Sequence, residues 1–397
     1  MKFTKDELRE LKARYDHELR DSVIPFWQEH AVDRECGGYF TCLDRDGSVY
    51  DTTKWMWMQW RIVYMFATFY NELERNDEWL RIARQGYDFL TRHGKAEDGA
   101  YYFALNRAGD PIVAPYNIFS ECFATMGAAA LFKATGEERY KAEAIASMQR
   151  YVARMDNPKG RWEKSMPARK AYLSHGQFMM MANLDATLSD CLGSTEFEGE
   201  AANAVHKVLD GFWNPEFRVI FENINPDGTF DLESCDGRHL NPGHGLESMW
   251  FMMSYGERKG LPDIVRKAAD IVKAQIEFGR DRQYGGLYYF MDVLGKPHVE
   301  LQWDMKLWWP HCEVLIALLY ASRLTGDESY ADLFREFDQW TWKHFRDPEY
   351  PEWFGYLNRR GEVTHTLKGG KWKTMFHLPR CLHVCSQQLA KMIDAMP

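Results

Sequence analysis

A short phrase of glycine and aromatic residues returns along this chain at intervals of roughly 60 to 68 residues, a period that suits stacked two-helix units. It reads Gly37-Gly-Tyr-Phe, Gly99-Ala-Tyr-Tyr-Phe, Gly160-Arg-Trp, Val219-Ile-Phe-Glu-Asn, Gly285-Gly-Leu-Tyr-Tyr-Phe and Trp353-Phe-Gly-Tyr-Leu. Several copies precede a turn signal, Asp46-Gly47, Pro226-Asp-Gly or Arg360-Gly361, and then another β-prone run, which predicts short hairpins. Helical periodicity fills the intervals. It predicts helices over Lys5 to His30, Lys54 to Arg75, Glu78 to His93, Asn117 to Thr135, Glu137 to Met155 and Tyr172 to Cys191. The series continues over Glu198 to Trp213, His244 to Lys259, Leu261 to Phe278, Trp303 to Thr325, Glu328 to Phe345 and Leu378 to Met396.

Six helix pairs with hairpins gathered at one end close as a double ring. Inner helices then touch apolar neighbours on every side, as Phe178-Met-Met-Met-Ala and Leu315-Ile-Ala-Leu-Leu suggest, while outer helices such as Leu8 to Leu19 and Ala331 to His344 stay one-sided. The 397 residues would allow two or three domains by length, but no Ser/Gly linker, low-complexity tract or block of like charge divides them. Residues 1–397 are therefore expected to form a single domain.

Polar residues that look out of place in apolar runs cluster near the starts of the inner helices: Arg61, Ser120, Glu121, His175, His244, Glu247, Lys306, His311, Glu313, His377 and Arg380. In a ring of parallel helices these positions converge on one mouth, the usual setting of a small-molecule site. His244 follows the helix-breaking Asn241-Pro-Gly, with Glu247 three residues on and on the same helical face; His377 stands just ahead of Pro379. Two imidazoles, whose ordinary pKa suits proton exchange near neutrality, can take a proton from one face of a carbon beside a carbonyl and return one to the other. Arg61 interrupts Trp55-Met-Trp-Met-Gln-Trp, where a buried guanidinium needs either an internal partner such as Asp51 or Glu72 or a ligand. Trp303-Asp-Met-Lys-Leu-Trp-Trp-Pro-His-Cys-Glu mixes tryptophans with both signs of charge and suits a carbohydrate surface. Glu121, Glu247, Asp304 and Glu313 keep a two-carboxylate glycosidase open as an alternative. His17, His30, His93 and His206 lie among surface-like charges.

The net charge of -9 argues against nucleic acid and anionic membrane as main partners. The absence of a signal-like start or a long apolar run predicts a soluble, cytoplasmic protein, and the eight scattered cysteines read as reduced thiols. His311-x-Glu313 and Cys381-x-His383-x-Cys385 do not complete a zinc spacing, so no metal is expected. No glycine-rich phosphate-binding phrase is present, so no tightly held nucleotide is expected.

Arg61 within its aromatic stretch, Asn241-Pro-Gly-His-Gly-Leu-Glu247, Lys306-Leu-Trp-Trp-Pro-His-Cys-Glu313, Asp347-Pro-Glu-Tyr, Glu352-Trp-Phe-Gly-Tyr-Leu, Lys368-Gly-Gly-Lys-Trp-Lys and Phe376-His-Leu-Pro-Arg380 together resemble the N-acylglucosamine 2-epimerase family, which includes renin-binding proteins. The resemblance implies an all-α (α/α)6 barrel, usually a homodimer, that interconverts N-acyl-D-glucosamine and N-acyl-D-mannosamine through ring opening, C2 proton abstraction, a cis-enediolate and reprotonation. It implies His244 and His377 as the catalytic pair. The candidate substrate-binding set is Arg61, Tyr116, His175, Glu247, Lys306, Trp309, Glu313 and Arg380. The scheme requires no metal or other cofactor; ATP acts on several members as an allosteric activator, a role linked to a loop like Asp156-Asn-Pro-Lys-Gly-Arg-Trp-Glu-Lys. Trp60 ahead of Arg61 and Ser174-His-Gly-Gln-Phe178 ahead of Met179 depart from the pattern and predict a reshaped substrate mouth. Sister groups, cellobiose 2-epimerases and mannose or sulfoquinovose isomerases, carry a third histidine where this chain has Ala182; an unsubstituted sugar is the alternative substrate.

Overall fold

The computed structural model describes residues 2–155 and 170–397. The Gly160 phrase and the Asp156 to Lys164 loop therefore lie outside the described residues. The chain opens with α1 (Lys5–His17), which runs through a π-turn (Glu18–Val23) into α2 (Ile24–His30), one continuous rod where one was predicted. Thr4 and Glu7 cap it reciprocally, each side chain accepting the other's backbone N–H. Then follow α3 (Met56–Glu72) with α4 (Asp77–His93), α5 (Phe119–Thr135) with α6 (Glu138–Ala153), and α7 (His175–Leu192) with α8 (Glu198–His206). A single turn that the periodicity did not predict, α9 (Cys235–Arg238), precedes α10 (Pro242–Lys259) and α11 (Pro262–Gly279). The last are α12 (Trp308–Thr325), α13 (Glu328–Phe345) and α14 (His377–Asp394). The predicted start of α12 at Trp303 is corrected, because Lys306–Leu307 is drawn into a strand that delays the helix.

α3, α5, α7, α10, α12 and α14 pack side by side as an inner ring, and the other long helices pack outside them. The ring closes where α14 returns to α3: His383 Nε2 lies 2.8 Å from a Glu72 carboxylate oxygen, and its ring meets Phe69 edge-on at 5.7 Å. The result is an (α/α)6 barrel. α12 is buried without a break from Trp308 to Ser322, as an inner helix must be, whereas outer α4 buries one face through Trp79, Ile82, Ala83, Tyr87 and Leu90. Buried apolar residues from Phe3 to Leu389 form one continuous cluster. Truncating a central member such as Leu315 to alanine would cost about 2–5 kcal/mol.

Strands of two or three residues stitch the units together at one end. The strand just ahead of an inner helix pairs antiparallel with the hairpin of the next unit: Lys54 with Leu105, Ser174 with Asn223, Leu240 with Met291, and Lys306 with Leu357. The hairpin turns put glycine in the left-handed region, Gly47 at φ 87°, Gly109 at 105° and Gly361 at 85°. A Cβ there would also strike the ring of a histidine at or next to the end of the preceding outer helix, His30, His93 or His344 respectively, so these histidines are packing groups.

Among the described residues, three buried ion clusters of one pattern repeat around the same end. Asp33, Asp281 and Asp347 each follow an outer helix, accept backbone N–H groups two and three residues on, and bind a fully buried lysine: Lys54 at 3.0 Å, Lys306 at 3.1 Å and Lys368 at 2.8 Å. An arginine from another hairpin completes each, Arg107, Arg359 and Arg45. Among the described residues no helix is long and apolar enough to cross a membrane.

Candidate active site

The N-termini of the inner helices open on a cavity of about 450 Å³ in which Arg61, His244, Glu247, Trp309 and His377 meet. Each is fixed by its helix start. Asn241 caps α10, its side-chain oxygen accepting the N–H of Gly243 at 3.0 Å and of His244 at 3.3 Å, which sets His244 in the first turn and Glu247 one turn deeper. His377 is the first residue of α14 and Trp309 the second of α12. The Trp309 ring lies 5.1 Å from the His244 imidazole and 5.6 Å from that of His377, so one indole links the two histidines. Met58, Phe119, Phe123, Met179 and Met180 form an apolar wall, and Trp57 and Trp372 meet at 5.5 Å beside it.

Each histidine has a carboxylate on Nδ1, which leaves Nε2 for the cavity. His377 Nδ1 is 2.8 Å from Glu313 Oε1, and His244 Nδ1 is 2.9 Å from Glu222 Oε2. The sequence pairing of His244 with Glu247 is thus corrected: Glu247 turns to Arg380, whose Nη2 lies 2.5 Å from Glu247 Oε1 and from Glu313 Oε1. Trp250 donates to the other Glu313 oxygen at 2.8 Å.

The two carboxylates differ in consequence. Burial pushes His377 down, the charges of Arg61 and Arg380 push it further, and it ends well below the ordinary imidazole range because Arg380 has already compensated Glu313. Burial also pushes His244 down, but Glu222 outweighs it and leaves that imidazole above its ordinary value. Glu222, though burial raises it, is held far below the usual carboxylate range by the charge of His244, the hydrogen bond from His244 and the His175 imidazole 3.6 Å away. The surroundings therefore push the two imidazoles in opposite directions, His377 toward the neutral form and His244 toward the charged one, the arrangement of a base facing an acid.

Arg61 has neither of the partners foreseen for it. Glu72 binds His383 instead, and among the described residues no carboxylate is ion-paired with the guanidinium, whose Nε is buried without a hydrogen bond. Burial lowers its pKa to about 9.

The remaining candidates fall outside the cavity wall. Glu313 and Arg380 stand behind His377 and Glu247. His175 is sealed beneath Glu222, with Nδ1 3.6 Å from Oε1. Lys306 points away from the cavity to Asp281, and a fully buried ion pair leaves it nothing to offer a ligand. Tyr116 packs on Phe103 at 5.5 Å, on the exposed rim. Trp60 does not reshape the mouth: it points outward between Tyr87 and Tyr101, 5.8 and 5.5 Å away. Sequence reasoning misses Glu222 because it sits inside an aromatic strand phrase; its place beside His175 follows from the pairing of Asn223 with Ser174 immediately ahead of that histidine, which only the structure shows.

Glu247, Glu313 and His377 also bring ligand atoms within 4.8 Å of one another, a donor set that could hold a cation. The Arg380 guanidinium already supplies the positive charge between the two carboxylates. Of the four acids that kept a glycosidase open, only Glu247 reaches the cavity wall.

The sequence pattern of the N-acylglucosamine 2-epimerase (GlcNAc 2-epimerase) family matches residues 38–381. The chain belongs to that family. It is 40% identical over 404 residues to the N-acylglucosamine 2-epimerase of Mus musculus, covering 100% of this chain and 96% of the relative. The Homo sapiens relative is 37% identical, with 99% of this chain and 93% of that protein covered. A cellobiose 2-epimerase of Bacteroides fragilis is more distant at 22% identity, over 95% of this chain and 99% of that protein. The solved cellobiose 2-epimerase of Bacillus thermoamylovorans superposes with a TM-score of 0.83 at 18% identity, over 96% of this chain and 100% of that one, a likeness of fold.

Proposed function

We propose that this family member is a sugar 2-epimerase that interconverts N-acyl-D-glucosamine and N-acyl-D-mannosamine. The observation that carries the reading is the pair of imidazoles flanking Trp309 in one cavity, each oriented through Nδ1 by a carboxylate and shifted in opposite directions by its surroundings. Full-length relatives at 37–40% identity bearing that activity in their names support the substrate.

In the proposed sequence the ring-opened sugar lies on Trp309 with C2 between the histidines. Neutral His377 Nε2 takes the C2 proton, and the C–H electrons form the C1–C2 double bond as the carbonyl electrons move to O1. With nitrogen rather than oxygen on C2, the intermediate is an enolate on O1 rather than an enediolate. Arg61, with no carboxylate ion-paired to it among the described residues, supplies charge to that oxygen. His244 Nε2 then gives a proton to the opposite face of C2, the O1 carbonyl reforms, and the configuration is inverted. Starting from the other epimer the roles exchange.

Both proton transfers draw on protein side chains and call for no cofactor. The cytoplasmic homodimer implied by family likeness belongs to the same proposal and is tested by sedimentation; ATP as an activator is tested by assaying with and without it.

The deciding experiment incubates the protein in heavy water with N-acetylmannosamine and, separately, with mannose. C2 deuterium and the epimeric product are expected from the N-acyl sugar. Exchange with mannose alone would move the assignment to an unsubstituted sugar, and exchange with neither would end the epimerase reading.

A further inference from the structure

The carboxylates behind the two histidines are not equivalent. Glu313 shares its charge with Arg380, whereas Glu222, among the described residues, is ion-paired with histidines alone. Its Oε2 holds His244 at 2.9 Å, and its buried Oε1 faces Nδ1 of His175 at 3.6 Å without a hydrogen bond. His175 is fully buried, and among the described residues neither ring nitrogen has a hydrogen-bond partner. Sealing an imidazole in this way costs free energy unless it faces a charge. The backbone fixes the arrangement, because the His175 N–H donates to the Glu222 carbonyl at 2.9 Å in the pairing of Leu173–Ser174 with Asn223–Ile224.

Resting on the epimerase reading above, we propose that Glu222, backed by His175, is the positioning residue that makes His244 the resting proton donor, while Arg380 deprives Glu313 of the same power over His377. Among the described residues, the titratable groups that act on His244 come from several elements. Glu222 comes from the hairpin, Glu247 from its own helix, Glu313 from α12, His377 from α14, and His239 from the strand ahead of α10. Glu247 and Glu313 are compensated by one guanidinium nitrogen at 2.5 Å from each, and the two other histidines repel a second charge. Glu222 is left as the group that decides the state of His244, and Nδ1–H donation to it turns Nε2 toward the sugar.

The test is a titration of the imidazoles by nitrogen NMR in the wild-type protein and in Glu222→Gln, which keeps an acceptor oxygen and removes the charge; resonances are assigned with His244→Gln and His377→Gln. The His244 pKa is expected to fall by about 1–3 pH units in Glu222→Gln, with His377 unmoved. The alkaline limb of kcat/KM moves down with it, and Glu222→Asp restores part of the shift. An unmoved His244 titration in folded Glu222→Gln overturns the proposal. A rate that falls with both limbs in place overturns it as well, since a purely structural role lowers the plateau alone. The NMR readout needs no turnover, so a shifted His244 in a protein that exchanges no sugar sinks the epimerase reading and leaves the pairing standing.

Discussion

The guanidinium carbon of Arg61 lies 4.4 Å from the centre of the Phe376 ring, with the Phe123 ring 4.2 Å away on another flank. Cation–π contact offsets part of its desolvation, yet no ion pair among the described residues does, so Arg61 is held in the barrel at a cost to stability. Arg61→Met should reveal a trade-off. Turnover should fall by about 10²–10³, the loss typical of removing one preorganised group from a developing oxyanion. The melting temperature should hold or rise. A thermal melt read beside the heavy-water exchange rate checks both, and a large drop in melting temperature with turnover intact would assign Arg61 to the scaffold.

The opposed histidines dictate a pH profile. In the direction that His377 opens, activity needs His377 neutral and His244 charged, so kcat/KM should be bell-shaped, the acid limb set well below the ordinary imidazole value of 6.5 and the alkaline limb above it. Stability follows by linkage. The raised pKa of His244 gives a contribution fully present below 6.5 and lost as pH rises through its folded value. The depressed pKa of His377 makes the unfolded chain bind more protons below 6.5, so stability falls as pH drops through that range. Glu222 adds a further loss at lower pH, below its ordinary 4.5 and toward its folded value. Denaturant midpoints measured from pH 4 to pH 9 should therefore peak near neutrality, and His377→Gln should flatten the acid side.

Periodicity made the barrel legible because a helix buried on all sides and a helix buried on one write different patterns, and every long helix was anticipated to within a few residues. His244, His377, Arg61 and Glu247 were legible for a related reason: polar groups at the starts of apolar helices have one mouth to face. Side-chain direction in the strands was not legible. Lys306 and Trp309 are three residues apart, but the strand turns Lys306 outward to Asp281 while the first turn of α12 carries Trp309 inward. His311 and Glu313 likewise part: His311 accepts the Leu287 N–H and donates to the Leu307 carbonyl, while Glu313 backs His377. Glu222 required knowing which hairpin pairs with which strand, a contact between units that no local pattern encodes.

Lys306 supplies a scaffold prediction. Replacing it by methionine leaves Asp281 fully buried with Arg359, itself about one-third exposed, as its remaining cation. Removing one partner of a buried pair costs about 3–5 kcal/mol, and the same is expected at Lys54 and Lys368 in their equivalent clusters. Urea unfolding of Lys306→Met should show that loss, while KM for the sugar stays at the wild-type value in the folded fraction. A raised KM without a stability loss would return Lys306 to the substrate site.

Arg380 joins scaffold and chemistry, and its replacement should fail in two separable ways. Arg380→Leu leaves Glu247 and Glu313, with oxygens within 4.8 Å of one another, uncompensated in the barrel interior, and the loss of stability should be about 3–5 kcal/mol. The second failure concerns His377. With Arg380 gone, the full charge of Glu313 acts on Nδ1 at 2.8 Å and raises that imidazole toward protonation, so the base is lost to the solvent proton at a higher pH. Arg380→Leu combined with Glu247→Leu removes the carboxylate repulsion and should recover part of the stability, yet it should keep the acid limb of kcat/KM displaced upward. A double variant that regains stability with the acid limb back at the wild-type pH would show that Arg380 acts on the fold alone.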